Sequence, residues 1–270
     1  MENEKQRADL ALVARGLAAS REKAHSMIAA GQVRLNGRTV GKPAIKVGPD
    51  DRLEILGDTL KYVSRGGLKL EKALRVFDVD VNGLVCVDIG ASTGGFTDAL
   101  LQNGAAKVYA VDVGAAQLDS KLLGDPRVVN LEHVNARALE ASLFDERLML
   151  AVMDVSFISI RLILPALFHV LGETGRVVSL VKPQFEAGRQ AIGKRGIVNN
   201  PKAHVEVLRN LVSFAPTLGW QVQTLDFSPI TGGDGNIEFL ADLVPASRCR
   251  HIVTDDDIHS IVKHAHAEMK

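Results

Sequence analysis

Short apolar runs and amphipathic stretches alternate along the chain from Leu84 onward. The apolar runs are four to seven residues long and are typical of buried strands, whereas the stretches between them carry apolar residues at helical spacing. This alternation predicts an α/β fold, with a mostly parallel sheet and helices on both of its faces. The predicted strands are Leu84–Ile89, Val108–Val113, Val128–Leu131, Met149–Val155 and Arg176–Val181, and the predicted helices are Gly95–Asn103, Ala115–Leu123, Ile158–Leu171 and Pro201–Leu218.

The end of this region breaks the alternation. Two further predicted strands, Gln221–Phe227 and Ile237–Leu243, are separated only by residues 228–236, which leave no room for a crossover helix. Because a parallel pair needs a longer connection, we predict an antiparallel hairpin at the edge of the sheet. Residues 246–270 contain three consecutive aspartates and four histidines, and we expect a polar tail or a single helix there.

The first sixty residues follow a different pattern. Two short helices are predicted at Ala8–Gly16 and Arg21–Ala30, the second with Ser20 as its N-terminal cap. A hairpin is predicted at 33–40, where an Asn-Gly pair separates two short strands, and Leu53–Ile55 is a further strand. Two helices and a small sheet bury little by themselves. We therefore predict a small α+β domain over 1–62, a larger domain over 63–245 and a polar segment over 246–270.

Composition narrows the class of protein. The chain has 270 residues, of which 46% are hydrophobic, with 32 basic and 32 acidic side chains. This length is typical of one or two globular domains, and no apolar run approaches the roughly 20 residues that span a bilayer. Two cysteines, Cys86 and Cys249, are too few for a disulfide framework, which favours a reduced, cytoplasmic protein. The four histidines near the C-terminus lack the spacing of metal ligands, so we expect no metal.

A glycine-rich loop follows the first predicted strand, at the place where a doubly wound sheet binds its ligands. The loop nearly matches two nucleotide-binding motifs. Gly90 and Gly95 match the first and third glycines of a dinucleotide fingerprint, but Ser92 stands in place of the middle one. That middle glycine is what allows the backbone to come close to a pyrophosphate. A phosphate-binding loop of the P-loop type needs a lysine where Phe96 stands. The sequence therefore excludes a P-loop and weakens the case for a dinucleotide.

Other interpretations of this loop remain open. It also matches the G-x-S-x-G elbow of hydrolases, for which Asp226 and His251 are available, although such elbows usually follow several strands rather than the first. A ligand with adenine and ribose but no pyrophosphate fits better, and S-adenosylmethionine is such a ligand. Asp112 lies at the end of the second strand, where it could accept both ribose hydroxyls, and Asp88 could orient the loop or meet the methionine ammonium group. In the simplest alternative, the glycines only allow close packing of helix on strand.

Charged residues stand at the ends of two later strands. Asp154 ends the fourth predicted strand and Lys182 ends the fifth, so both belong to the edge of the sheet that carries the ligand. A desolvated lysine close to another cation is more easily deprotonated and can act as a base. The alternative is a structural Lys182–Asp154 ion pair. Lys69 and Glu238 are harder to place, because a lysine near the start of a helix is usually solvated and Glu238 lies in an apolar predicted strand.

Several unusual short motifs follow one another along the chain. They are Arg7-Ala8-Asp9, Gly16–Arg21, Ala24, Ile28, Gly31-Gln32-Val33, Asn36-Gly37, Val63–Gly67, Asp88–Phe96, Asp154–Ser159 and Lys182–Glu186. On these motifs the sequence resembles the TlyA (haemolysin A) family over nearly its whole length. The N-terminal part is similar to the small RNA-binding domain first seen in ribosomal protein S-four, and the remainder is similar to FtsJ-type ribose methyltransferases. Tyr62, in the short junction, stands where relatives often have tryptophan.

The resemblance implies a class I S-adenosylmethionine methyltransferase fold and a Lys-Asp-Lys-Glu catalytic set, which falls on Lys69, Asp154, Lys182 and Glu238. Under this hypothesis Lys182 takes the proton of a ribose 2′-hydroxyl, Lys69 steadies the developing alkoxide, and the two carboxylates orient the lysines. Contacts with S-adenosylmethionine are expected from the strand-end residues and the loop, namely Asp88, Gly90, Ser92, Gly94, Phe96 and Asp112.

Zero net charge conceals two basic regions. Residues 1–75 carry 15 basic and 9 acidic groups, and residues 182–202 carry five basic groups against one acidic group. Both regions are candidate phosphate-binding surfaces, although charge clusters are often only solvated faces. With 4% aromatic residues, recognition of RNA is expected to depend largely on shape. The candidate RNA-binding residues are Arg7, Arg15, Arg21, Lys23, Arg65, Arg189, Lys194 and Arg195.

The resemblance implies ribosomal RNA or ribosomal subunits as partner, with methylation of a cytidine ribose. Two other functions are kept as alternatives. One is an RNA-binding or ribosome-assembly factor that retains a cofactor fold without catalysis. The other is a membrane-active haemolysin, which the sequence favours less because it has neither a spanning segment nor a strongly amphipathic basic helix.

Overall fold

The computed structural model describes residues 5–18, 20–29, 32–55, 61–193, 196–232 and 235–269. The chain forms two compact units, 1–60 and 61–270. Within the described ranges, no helix combines the length and the apolar character needed to cross a membrane. The same ranges contain no cluster of three or more potential metal ligands.

The N-terminal unit is a small α+β fold. Its elements are β1 (Gln6–Arg7), α1 (Ala8–Ala14), α2 (Arg21–Ala29), β2 (Val33–Leu35), β3 (Arg38–Thr39), β4 (Lys46–Val47) and β5 (Leu53–Ile55). Strand β2 lies between β3 and β5, and β1 pairs with β4. The predicted hairpin is confirmed, because Asn36 and Gly37 both have the positive φ that its tight turn requires. The helices cover a small core that includes Leu12, Ile28 and Val33.

The C-terminal unit is built on a seven-stranded sheet, as the alternating pattern predicts. Its strands are β6 (Val85–Ile89), β7 (Lys107–Val111), β8 (Val128–Leu131), β9 (Leu150–Met153), β10 (Arg176–Val181), β11 (Trp220–Phe227) and β12 (Phe239–Pro245). The order across the sheet is β11-β12-β10-β9-β6-β7-β8. Strands β6 to β10 pair in parallel, and β12 is antiparallel to both of its neighbours. The predicted terminal antiparallel hairpin is therefore confirmed, with β12 on its inner side.

Helices cover both faces of this sheet. They are α3 (Gly66–Val76), α4 (Gly95–Gln102), α5 (Ser120–Leu123), α6 (Leu164–Leu171), α7 (Pro183–Glu186), α8 (Pro201–Phe214) and α9 (Asp255–Glu268). Alternate residues of the strands enter two separate cores. In β6, for example, Val87 and Ile89 pack with α6, α8 and α9, whereas Cys86 packs with α3, α4 and α5. The predicted α/β fold, with a small N-terminal α+β unit, is confirmed.

Some predicted element boundaries were wrong, for identifiable reasons. The helix predicted from Ala115 begins only at Ser120, because Ala116 adopts a positive φ and Asp119 caps the helix. The helix predicted from Ile158 starts with a separate 3₁₀ turn, and α6 proper begins at Leu164, followed by a proline suited to the first turn. Strand β12 starts two residues later than expected, so Glu238 precedes it rather than lying within it.

Candidate active site

The loop after β6 approaches the neighbouring strand so closely that only glycine fits. Gly90 has φ +80°, and a Cβ there would lie 2.7 Å from the backbone oxygen of Asp154. Its backbone N–H donates to Val111 O, and the backbone N–H of Ser92 donates to Asp112 Oδ2 at 2.8 Å. The loop is thus fixed against the ends of both β7 and β9. Its backbone lies at the carboxyl edge of the sheet, the edge at which such folds bind ligands.

Gly94 serves packing rather than either of the cavities described below. Its φ is +92°, and a Cβ would lie 2.2 Å from Leu122 Cδ1 and 2.8 Å from Leu118 Cδ1. Packing therefore accounts for this position, although it sets the start of α4 against Leu118 and helix α5 and not against a strand. Phe96, in the first turn of α4, is buried in the core, and its ring lies within van der Waals distance of a Cβ built on Gly66. Phe96 also lines the smaller of the two cavities.

Asp88 is a fully buried carboxylate behind the loop. Its Oδ2 accepts hydrogen bonds from the backbone N–H and the hydroxyl of Thr97, at 2.9 and 2.7 Å. Its Oδ1 is buried without a partner in the described part of the chain. Burial, more than the neighbouring carboxylates, raises the pKa of Asp88 to about 7. Asp88 therefore anchors the junction of β6, the loop and α4 instead of lining a cavity.

A cavity of about 430 Å³ lies between the ends of β6 and β7 and the segment after β9. Asp112, Gln117 and Asn135 supply polar groups, and the side chains of Val113 and Phe157 supply apolar surface. Asp112 also accepts the backbone N–H of Gly114 at 2.8 Å, so its carboxylate is held in a fixed orientation. A carboxylate for a ribose diol, apolar walls for an adenine and a glycine-lined backbone fit S-adenosylmethionine in kind and in volume.

A second cavity, of about 310 Å³, lies on the other side of the same loop. Its wall contains Lys69, Lys182, Ser64 and Thr231, and Arg65 lies on its exposed side. Four residues line both cavities, namely Gly90, Ser92, Asp154 and Ser156. A group bound in one cavity can therefore meet a group bound in the other across this shared wall.

A line of alternating charges runs along the second cavity. Lys182 Nζ lies 2.6 Å from Asp154 Oδ1, Lys69 Nζ lies 3.8 Å from Asp154 Oδ2, and Lys69 Nζ donates to Glu238 Oε2 at 2.6 Å. Lys69 and Glu238 are buried, with 8% and 3% of their surface exposed. Two ammonium groups facing two carboxylates are electrically balanced, which removes the cost of an isolated buried charge. The structure thus brings together all four residues of the predicted catalytic set, and the Lys182–Asp154 ion pair is part of it.

Four different elements supply these charges. Lys69 lies on α3, whereas Asp154 and Lys182 follow the neighbouring parallel strands β9 and β10. Glu238 comes immediately before β12, and the pairing of Val181 with Phe239 sets it beside the end of β10. The carboxyl edge of the sheet is therefore the place where the four residues converge.

Asn236 is a residue of this site that sequence reasoning missed. Its buried side chain accepts the backbone N–H of Val198 at 2.9 Å and donates to the backbone oxygen of Gly196 at 3.1 Å. Its own carbonyl accepts from Gly232 N, in the loop that contributes Thr231 to the smaller cavity. Asn236 thereby fixes the backbone two residues ahead of Glu238. A polar residue next to a run of glycines just before an apolar strand was the available signal.

The acid and base required by the hydrolase alternative lie in separate ion pairs. Asp226 pairs with Lys72 at 3.1 Å, and His251 lies 3.6 Å from Asp257 at the start of α9. Among the residues that the structure describes, no Ser-His-Asp constellation therefore forms around Ser92.

Three of the predicted RNA-binding residues have defined partners in the N-terminal unit. Arg7 and Arg21 both pair with the buried carboxylate of Asp9, at 2.9 and 2.8 Å, and His25 contacts the same carboxylate at 2.8 Å. The hydrogen bond from Arg7 lowers the pKa of Asp9 more than any other contact, and the pKa stays well below its usual range despite burial. Arg15 donates to the backbone oxygens of Gly48 and Asp51.

The other predicted RNA-binding residues differ in their setting. Lys23 is exposed, and in the described ranges its side chain has neither an ion pair nor a hydrogen bond. Arg65 lies beside the smaller cavity. Lys194 and Arg195, and the side chain of Arg189, lie outside what the structure describes.

Comparisons with known proteins agree with this geometry. A family model described as FtsJ-like methyltransferase matches residues 62–243, and an S4 domain matches residues 6–53. The chain is 49% identical to YqxC of Bacillus subtilis, named as a candidate rRNA methyltransferase, over 100% of this chain and 97% of that protein. It is 44% identical to the 16S/23S rRNA (cytidine-2′-O)-methyltransferase TlyA of Mycobacterium tuberculosis, over 86% of this chain and 87% of that protein.

A solved structure of a candidate hemolysin from Streptococcus thermophilus is also similar. Its TM-score is 0.79 at 49% identity, and the match covers 98% of this chain and 97% of that one. The chain belongs to the TlyA family and combines an S4 domain with an FtsJ-like methyltransferase domain whose methyl donor is S-adenosylmethionine.

Proposed function

We propose that this protein methylates the 2′-hydroxyl of a cytidine ribose in ribosomal RNA, within the small or the large ribosomal subunit. The observation that carries the proposal is the line of charges from Lys182 to Glu238 beside a cavity that shares a wall with the cofactor cavity. The name of the Mycobacterium relative supports the choice of nucleoside and of RNA. The reaction takes place where ribosomes are, in the cytoplasm.

The reaction requires removal of the proton of the ribose 2′-hydroxyl. A ribose hydroxyl is a weak acid, so its O–H bond must break as the new O–C bond forms. S-adenosylmethionine, when bound, would supply the methyl group of its positively charged sulfur, whose S–C bond breaks as the O–C bond forms and leaves neutral S-adenosylhomocysteine. Lys182, in its neutral form, takes the proton, and Lys69 stabilises the negative charge that develops on the oxygen. Asp154 holds both lysines, and Glu238 holds Lys69 from the other side.

Positioning contributes the other part of the rate. Gly90, Ser92, Asp154 and Ser156 line both cavities, so the two cavities adjoin each other. A hydroxyl bound in the smaller cavity and a methyl group bound in the larger one are held at a fixed separation, which avoids the entropic cost of bringing them together.

RNA binding is assigned to the S4 domain and to Arg65 at the mouth of the smaller cavity. In the S4 domain Arg7 and Arg21 are ordered by Asp9, and Lys23 projects into solvent. Ordered guanidinium groups contact phosphates with little loss of side-chain entropy. These contacts are independent of base sequence, so they supply affinity, while the smaller cavity, which would hold the acceptor ribose, selects the nucleotide.

Transfer of isotopically labelled methyl from S-adenosylmethionine to ribosomal subunits tests the proposal. The subunits come from cells that lack the protein, and the digested RNA is analysed for 2′-O-methylcytidine. The wild-type protein should produce this nucleoside, whereas Lys182→Ala should produce none while still binding S-adenosylmethionine in calorimetry. A product methylated on the base, or full turnover by Lys182→Ala, would contradict the proposed chemistry.

The same experiment separates the alternatives. RNA binding without methyl transfer would favour the assembly factor. Leakage from phospholipid vesicles, measured alongside and seen without methyl transfer, would favour the membrane-active haemolysin. The similar Streptococcus structure is named as a hemolysin, which is the reason for this test.

A further inference from the structure

Ser156 lies between the two cavities and also contacts Lys182. It belongs to the shared wall, and its Oγ lies 3.0 Å from Lys182 Nζ, within the geometry of a hydrogen bond donated by the lysine. The contact between Lys182 and Asp154 is shorter, at 2.6 Å, but it is not aligned as a hydrogen bond, and Asp154 Oδ1 has no aligned donor in the described residues. The aligned hydrogen bond of the Lys182 amine is therefore the one to Ser156.

This arrangement bears on how a lysine acts as a base. A neutral amine has two N–H bonds and one lone pair at the corners of a tetrahedron around nitrogen. Asp154 and Ser156 both offer acceptor oxygens within reach of Nζ. One N–H bond points to Ser156 Oγ, and the ionic contact with Asp154 limits rotation about that bond. The lone pair is then restricted to the remaining directions, and Lys182 lines the cavity proposed for the acceptor. Asp154 alone would not prevent rotation of the amine.

We propose that Ser156 is a positioning residue, whose hydroxyl orients the amine of Lys182 toward the ribose hydroxyl. The inference rests on the proposed function, because it assigns Ser156 a role in the same proton transfer. Ser156 itself neither takes nor gives the proton in this scheme. It accepts a hydrogen bond before, during and after the transfer.

The surrounding loop does not depend on the Ser156 hydroxyl for its shape. Glu186, at the end of α7, accepts hydrogen bonds from Ser159 Oγ at 2.7 Å and from the backbone N–H of Ile160 at 2.8 Å. These two bonds join the segment after β9 to the segment after β10. Ser156 is exposed to the cavity, so removal of its hydroxyl opens no space in the core. Lys182 loses its aligned hydrogen bond but keeps the 2.6 Å contact with Asp154. The fold is therefore expected to survive the substitution.

Ser156→Ala, Ser156→Thr and the control Ser213→Ala test the inference. Ser213 lies on the exposed side of α8, where its hydroxyl bonds to Arg209 O, so its substitution makes the same chemical change far from the cavity. For Ser156→Ala we expect kcat to fall about ten-fold or more, because the base is misaligned. KM for the ribosomal subunit and Kd for S-adenosylmethionine should stay within about two-fold. Threonine keeps the hydroxyl and should restore most of kcat, and Ser213→Ala should behave as wild type.

Two results would overturn the inference. One is an unchanged kcat for Ser156→Ala, and the other is a rise in KM with kcat intact, which would make Ser156 a substrate contact instead. Both are distinct from failure of the proposed function, in which the wild-type protein itself would form no 2′-O-methylcytidine. Circular dichroism and the thermal midpoint of each variant show whether the fold is intact.

Discussion

Lys69 and Glu238 are 169 positions apart in the chain, and their charged groups are joined by a buried hydrogen bond of 2.6 Å. Lys69 also lines the smaller cavity. The bond connects α3, the first helix of the methyltransferase unit, to the start of β12, its last strand. Removing one partner of such a buried pair lowers the stability of the fold strongly. Replacing both partners by apolar groups changes the stability little, so the pair itself contributes little to it. The pair is therefore weak evidence for a role in stability, which agrees with the catalytic role proposed for it.

Glu238→Ala leaves Lys69 buried with Asp154 as a more distant partner, 3.8 Å away. We expect the free energy of unfolding to fall by about 3 kcal/mol and methyl transfer to be lost. The double substitution Lys69→Met with Glu238→Leu removes both charges and should recover most of the stability without any activity. Urea denaturation and the methyl-transfer assay measure the two effects. If the double variant stayed as unstable as Glu238→Ala, uncompensated charge would not be the cause.

Gly90→Ala is predicted to weaken cofactor binding. A Cβ at this position would lie 2.7 Å from Asp154 O, and the positive φ adds strain. Gly83→Ala is the matched control, because Gly83 has a similar φ of +73° with nothing within 4 Å of the added Cβ. Both variants should lose about 1 kcal/mol from backbone strain. Only Gly90→Ala should lose S-adenosylmethionine affinity in calorimetry, by ten-fold or more. Equal losses in the two variants would show that φ alone matters.

Asp88 should make stability depend on pH in a definite direction. Its pKa is about 7 in the folded protein, against 3.8 ordinarily, so between pH 4 and 7 the folded state holds a proton that the unfolded state has released. The contribution of Asp88 to the free energy of unfolding is therefore largest below pH 4 and is lost as the pH rises to 7. Asp88→Asn lacks this titration, so wild type should lose roughly 3 kcal/mol relative to the variant between pH 4 and pH 8. Denaturant unfolding across this range provides the measurement, and parallel curves would contradict the prediction.

Lys23 and Arg15 should respond differently to substitution, although both are basic and exposed. Lys23 projects freely and is available to a phosphate, so Lys23→Ala should reduce the slope of log K against log salt for RNA binding by about one. Arg15 holds the backbone around Gly48 and Asp51, so Arg15→Ala should mainly lower the stability of the N-terminal unit. Filter binding at several salt concentrations separates the two. Identical salt slopes for wild type and Lys23→Ala would remove Lys23 from the RNA surface.

Strand-end residues were the most predictable part of the site. Gly90, Asp112, Asp154 and Lys182 each follow an apolar run, and parallel strands bring their carboxyl ends to one edge, so the periodicity alone predicted that they converge. Lys69 and Glu238 could not be placed in this way. Their proximity depends on how β12 enters the sheet, a long-range pairing that local pattern does not contain, and only the family resemblance indicated it.

Backbone conformation was the least predictable part. Gly94 and Gly90 look alike in the sequence, yet Gly94 accommodates Leu118 and Leu122 whereas Gly90 accommodates a backbone oxygen. The delayed start of α5 depends on the positive φ of Ala116, which no residue preference favours. Ser156 and Asn236 are common residue types, and their contacts appear only once three separate segments have folded together.

The position of β12 has a consequence for synthesis. This strand leaves the ribosome last, yet it lies between β10 and β11, so the sheet closes only after nearly the whole methyltransferase unit has emerged. The glycine loop after β6 can form long before Glu238 is available to Lys69. An unfinished or C-terminally truncated chain therefore lacks both an inner strand and a member of the charge line. Such a chain is therefore expected to show no methyl transfer.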